Sequence, residues 1–208
     1  MLDIQEQSEY WNKTWKDRIH DNHVEMNKGK YHIVIKQLNS RPYLAPLEKL
    51  DIGCGTGIHA LKMAEYNPLW RFRWTGIDLS TDAVDISKRF GMNTIYGDIY
   101  NFDGAGKKYG VFMFLDSLEH FFDHERLGKK IIELAAKEYI IIGNIPLYSS
   151  EHSNECERSI DCVALFKFLA AANCGQRKPE LYIYGVGGFP YMFFETSNLD
   201  KDYSKWAD

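Results

Sequence analysis

Two kinds of hydrophobic pattern follow one another along this chain of 208 residues. Short apolar runs of strand length give way to stretches in which apolar residues recur every three or four positions. From Lys49 to Asn144 the two alternate in succession, which predicts parallel strands joined by right-handed helical crossovers. The first strand runs into Asp51, the second covers Phe72–Ile77, the third Met92–Tyr96, the fourth Val111–Leu115 and the fifth Tyr139–Gly143. The fourth is apolar throughout, as a parallel strand covered on both faces must be. Helices are expected over Thr81–Phe90, Glu125–Lys137 and Asp161–Ala172. Ser80 reads as the N-cap of the first of these, and Asp82 suits the positive end of its dipole. Two late runs, Leu181–Tyr184 and Tyr191–Phe194, flank Gly185–Pro190 and are expected to pair antiparallel at the sheet edge. Ahead of the sheet, an aromatic-rich opening (Tyr10-Trp11-Asn12-Lys13-Thr14-Trp15) precedes a helix near His23–Leu38. Arg41-Pro42 and Ala45-Pro46 close it, because proline disfavours helix at the residue before it. The pattern describes one domain: an N-terminal cap (1–46), a core (47–145) and a closing loop, helix and hairpin (146–208).

The densest chemistry lies in Asp51-Ile52-Gly53-Cys54-Gly55-Thr56-Gly57. Three alternate glycines between a strand and a helix describe a tight turn that a ligand can approach closely. The helix behind it offers N–H groups and a positive dipole end. Gly55-x-Gly57-x-x-Ala60 satisfies one form of the dinucleotide fingerprint, which keeps an NAD(P)-dependent oxidoreductase open. Asp51 weighs against it: a carboxylate repels a pyrophosphate and attracts an ammonium. Further acids follow at the ends of later strands. Asp78 stands where α/β nucleotide folds place the acid that takes the ribose hydroxyls, although it also suits a helix cap. Asp98 follows the third strand, where an ordinary turn residue would also fit. Asp116 follows the fourth.

Leu50–Gly57 resembles the first motif of the class I S-adenosylmethionine-dependent methyltransferases. The resemblance spans roughly Leu47 to Glu195 and implies a Rossmann-like, doubly wound, mostly parallel seven-stranded sheet with an antiparallel C-terminal hairpin. It implies S-adenosylmethionine as cofactor, cradled by Gly53, Cys54, Gly55 and Gly57, with its α-amino group at Asp51. It further implies Leu79 against the adenine, Asp98 on the adenine amino group and Ile99 as a wall. Asp116 then sits beside the sulfonium and Ser117 near the methionine arm. The segment Asp116-Ser117-Leu118-Glu119-His120-Phe121 resembles small-molecule methyltransferases similar to the ubiquinone-biosynthesis O-methyltransferases. His120 then faces a small-molecule acceptor, with a capping or packing role as the alternative. His152 is a second candidate base, and Tyr148, His152 and Tyr191 are candidates to line the acceptor pocket. In such enzymes Tyr10 or Trp11 also opens a flap over the cofactor; equally, Trp11 and Trp15, at i and i+4, would make one apolar helix stripe.

Composition adds bounds. A hydrophobic content of 45% builds a full core at this length. No run of about 18 apolar residues suits a membrane span, and the opening residues lack the profile of a signal peptide. Four cysteines without regular spacing suggest reduced thiols in a cytoplasmic protein. A net charge of −4, spread along the chain, argues against gripping nucleic acid by its phosphates. A monomer or homodimer is expected. His152, Cys156, Cys162 and Cys174 match no compact zinc motif. Asn144 with Asp116 makes a poor magnesium set, because Gly143 stands where related metal enzymes add an acid; no metal is expected. A non-catalytic S-adenosylmethionine-binding partner subunit remains the other alternative.

Overall fold

A computed structural model describes residues 3–20, 28–146, 162–172, 180–186 and 189–198. Its elements run α1 (Ile4–His20), α2 (Lys28–Asn39), β1 (Lys49–Ile52), α3 (Ile58–Tyr66), α4 (Leu69–Phe72), β2 (Trp74–Asp78), α5 (Thr81–Arg89) and β3 (Thr94–Tyr96). β4 (Tyr109–Leu115), α6 (His124–Leu134), β5 (Ala135–Pro146), α7 (Cys162–Ala171), β6 (Glu180–Val186) and β7 (Phe189–Ser197) complete them. The strands form one seven-stranded sheet in the order β3-β2-β1-β4-β5-β7-β6. β1 to β5 are parallel, while β7 pairs antiparallel with both β5 and β6. The parallel core and closing hairpin are those the pattern predicts, and the doubly wound seven-stranded sheet is the one the resemblance implies.

The central strand shows how the core is built. β4 is buried at every position, and its side chains alternate between faces. Phe112 and Phe114 meet Leu127, Ile131 and Phe168 of α6 and α7, whereas Val111, Met113 and Leu115 share a cluster with Val34, Leu38 and Met63 of α2 and α3. At the mouth of β1, Lys49 is fully buried; its ammonium donates to the Ala45 and Leu47 carbonyls, and burial lowers its pKa to about 8. The cap is also tied to the far side of the sheet, where Arg41 pairs with Glu195 on β7.

Several boundaries differ from expectation for local reasons. The second strand begins at Trp74, because Leu69–Phe72 forms a short helix after Pro68 that buries Trp70 and leaves Phe72 exposed. α6 stops at Leu134, three residues early, because Ala135 already pairs with Tyr109. The cap helix is described from Lys28; 21–27 lie outside the described residues. No helix among the described residues is long and apolar enough to cross a membrane.

Gly143, on β5 between β4 and β7, carries no side chain because the Phe194 ring fills the space a Cβ would need. Gly143→Ala is expected to cost about 1–3 kcal/mol through overpacking. It would be read as a lowered urea midpoint at constant m; an unmoved midpoint would show that the ring yields freely.

Candidate active site

The C-terminal ends of the parallel strands open into a cavity of about 830 Å³. Its wall brings together Gly53 after β1, Asp78 and Leu79 after β2, Asp98 and Ile99 after β3, and Asp116, Ser117 and His120 after β4. Residues scattered over some 70 positions of sequence converge because parallel strands deliver all their C-terminal ends to one edge.

Asp78 is the hub of this edge. One carboxylate oxygen accepts the Gly55 N–H at 2.7 Å and the other the Ser80 N–H at 2.8 Å, so the acid ties the glycine loop to the start of α5. Burial raises its pKa, with these backbone donors opposing the shift. Each oxygen keeps further acceptor capacity. Ser80 caps α5 as expected, accepting the Ala83 N–H. Asp98 caps the short turn Ile99–Asn101 through the Tyr100 N–H and lines the cavity at the same time; capping and cavity roles therefore coexist.

The glycine loop differs from the bare anion cradle that its spacing suggested. The amides of Gly53 and Cys54 donate to the Ile77 carbonyl, Gly55 to Asp78 and Gly57 to the Cys54 carbonyl. All three glycines have positive φ, and each gives way to a protein neighbour. A Cβ on Gly53 would lie 2.6 Å from that of Ser117, one on Gly55 would fall inside the Trp15 indole, and one on Gly57 would press on Ser87. Of the three, Gly53 reaches the cavity wall; Gly55, Gly57 and the buried Cys54 do not.

Asp51, expected at the cofactor's α-amino group, is placed elsewhere. Strand alternation sends Ile52 to the cavity and Asp51 to the opposite face, where it is buried and accepts the Trp74 indole N–H at 3.2 Å. Burial and the nearby Asp78 raise its pKa to about 7 despite that hydrogen bond. Cys54, beside both acids, has its thiol pushed well above the usual range, chiefly by burial.

Asp116 and Ser117 close the wall beside β1. The Ser117 hydroxyl donates to the Ile52 carbonyl, and the Asn144 side-chain amide donates to Asp116 at 2.7 Å. Among the described residues no group of three His, Cys, Asp or Glu stands close enough to hold a metal. His120 ends the short turn Leu118–His120, lines the cavity and stacks edge-on against Trp11 at 4.6 Å. Tyr191 lies off this wall: with Phe193, two residues on, it faces the α2–α3 cluster. Tyr148 and His152 lie outside the described residues.

Helix α1 forms the roof. Ser8 donates to the Leu79 carbonyl, and the Asn12 side-chain oxygen Oδ1 accepts from the Ser80 and Thr81 hydroxyls and the Asp82 N–H. Trp11 and Trp15, one turn apart, both line the cavity. The stripe reading and the flap reading are therefore the same surface. Tyr100, Phe121, Phe122 and Arg126 also line the wall and were not singled out from sequence. The signal was weak, since nothing but their place just after a strand-end acid or the Leu-Glu-His triplet marks them.

Residues 50–137 match a methyltransferase domain family. No curated protein matches the chain. Solved structures do. Magnesium protoporphyrin IX methyltransferase from Synechocystis, with bound S-adenosylhomocysteine, superposes with a TM-score of 0.72 at 16% identity, covering 95% of this chain and 100% of its own. A Burkholderia thailandensis 1,6-didemethyltoxoflavin N1-methyltransferase, with its substrate and S-adenosylhomocysteine, gives 0.68 at 16%, covering 96% and 92%. A plantazolicin methyltransferase gives 0.64 at 17%, covering 94% and 98%. Similarities of this size establish the fold. The domain match and these structures lie on the same sheet, whose fold is the one the methyltransferases share.

The buried acid sets a pH dependence. Asp51 titrates at about 7 when folded against a usual 3.8, so between these values the folded state keeps a proton that the unfolded chain releases. Its contribution to stability is full below about pH 4 and is lost as pH rises towards 7. Asp51→Asn keeps an acceptor for Trp74 and is expected to flatten the fall in melting temperature from about pH 4 to 7. Parallel melting curves for the two proteins would refute the raised pKa.

Proposed function

We propose that the cavity binds S-adenosylmethionine and that the enzyme transfers its methyl group to a small-molecule acceptor. The observation that carries this is the wall itself. It sets carboxylates at Asp78, Asp98 and Asp116 around Leu79 and Ile99, while the amides of Gly53, Cys54, Gly55 and Gly57 are bonded inside the protein. Such a wall suits a nucleoside with hydroxyls, an amino group and a positive charge; it does not suit a pyrophosphate. Trp15 covering Gly55 counts further against a dinucleotide. The cavity lies in the upper part of the roughly 300–1,000 Å³ usual for small-ligand sites, which leaves room for an acceptor beside the cofactor.

When bound, the cofactor supplies a methyl group already activated by the positive charge on sulfur. The chain's part is alignment and exclusion of water. Asp78 accepts the ribose hydroxyls, Leu79 and Ile99 hold the adenine between them, and Asp98 accepts its amino group. Gly53 and Ser117 border the methionine arm, and Trp11 and Trp15 roof the cavity from water. His120 stands on the same wall and takes the acceptor's proton. Its edge-type contact with Trp11 holds the imidazole in place for that role.

Calorimetry with S-adenosylmethionine is expected to show one site, weakened about tenfold or more in Asp78→Asn through loss of charge-assisted hydrogen bonds. A flat titration of the wild type would sink the reading. An acceptor screen scored by S-adenosylhomocysteine release then separates an enzyme from a non-catalytic binding subunit. With a responding hydroxyl or amine acceptor, His120→Ala should lower kcat about a hundredfold and remove the acidic limb of its pH profile. An unchanged profile would exclude His120 as the base.

A further inference from the structure

The edge of the sheet opposite the cavity carries a surface of a different character. β2 and β3 are parallel neighbours, so the segments that lead into them, Leu69–Arg73 and Lys88–Gly91, meet at their N-terminal ends. Arg71 fastens the two together. Its guanidinium donates to the Phe90 and Gly91 carbonyls at 3.0 and 2.9 Å, which also places a cation at the negative end of α5.

Two properties coincide there. α4 buries Trp70 and leaves Leu69 and Phe72, three residues apart and so on one helical face, in solvent. Exposure reaches 78% at Phe72, 51% at Leu69 and 51% at Phe90, and Tyr66 at the end of α3 adds 63%. A single exposed apolar side chain is ordinary; several gathered on one face mark an interaction surface. Interleaved with them, Arg71, Arg73, Lys88 and Arg89 are exposed cations. Neither segment contains an acid. The nearest acids along the chain are Glu65, which pairs with Lys62 at 2.7 Å, and Asp85 on α5. Among the described residues no ion pair engages Arg73, Lys88 or Arg89. The face is therefore positive in a chain whose net charge is −4.

We propose that this face is a peripheral docking surface for a bilayer carrying anionic headgroups, with Phe72, Phe90 and Leu69 entering the interface and Arg73, Lys88 and Arg89 meeting the phosphates. Apolar anchors ringed by cations are what such a surface binds: the side chains bury in the headgroup boundary while the charges gain from the negative surface potential. A nucleic acid fits less well. Neither segment carries an amide or hydroxyl side chain to read a base edge, and a polyanion that wraps the molecule meets its net negative charge. A flat bilayer meets this face alone. Docking here leaves the cavity, at the other end of the strands, turned away from the lipid and open to water-borne ligands.

The test is sedimentation of the full chain with vesicles of phosphatidylcholine, alone or mixed with phosphatidylglycerol. Binding is expected to the mixed vesicles, to weaken with added salt, and to be slight with phosphatidylcholine alone. Arg73→Gln, Lys88→Gln and Arg89→Gln should each lower the partition coefficient about fivefold, and Phe72→Ser about tenfold. Arg71 is left intact because it holds α5. Melting temperatures and S-adenosylmethionine titrations of these variants should match the wild type, which separates lost docking from lost folding. Absence of binding to the mixed vesicles overturns the proposal, as does equal binding to phosphatidylcholine alone or binding that none of the four substitutions alters. A single-stranded oligonucleotide held more tightly than the vesicles, through the same cations, would assign the face to nucleic acid and overturn the lipid reading.

Discussion

The active edge of this molecule depends on one carboxylate. Asp78 accepts the Gly55 and Ser80 amides on its two oxygens, so the loop after β1 and the helix after β2 share a single anchor. Charge-assisted bonds of this kind are about twice as strong as neutral ones. The cavity lining on this side is placed relative to that anchor. Leu79 follows it directly, the glycine loop hangs from it, and α1 docks on Ser80 and Asp82 just beyond it.

A consequence is that the glycine-rich turn works as a piece of architecture more than as an anion trap. Its amides are spent on Ile77, Asp78 and Cys54, and its missing side chains make room for Ser117, Trp15 and Ser87. The amides so bonded are withdrawn from any ligand, while the acids Asp78, Asp98 and Asp116 stand at the neighbouring strand ends. Charge complementarity on this wall is thus set by what the loop withholds as much as by what the strand ends offer.

The cap completes the arrangement. An apolar stripe on α1 would be a liability if exposed, yet Trp11 and Trp15 end as cavity lining, held by polar contacts from Ser8 and Asn12 to the start of α5. The aromatic roof and the acidic floor therefore come from opposite ends of the cofactor-side half of the chain. Excluding water from between them strengthens each charge interaction within.

Periodicity was enough to specify the parallel core and the order of strands and helices; the Ser80 cap followed from residue type and the closing hairpin from two runs flanking Gly185–Pro190. Covalent sequence carries the spacing of apolar residues, and that spacing is what a two-faced sheet responds to. The acids Asp78, Asp98 and Asp116 were legible for the same reason, since each follows a recognisable strand. What sequence left open turns on direction in space. Asp51 and Ile52 are adjacent, and alternation sends one to the core under Trp74 and the other to the cavity; the glycine motif does not say which. Tyr191 faces the α2–α3 cluster through the same parity. Asn144 and Asp116 were paired beforehand only as a poor metal set; the hydrogen bond between them, 28 residues apart along the chain, arises from the register of β4 and β5. Long-range pairing, side-chain parity and the competition among donors for one acceptor belong to the folded chain, and they convert a motif into a site.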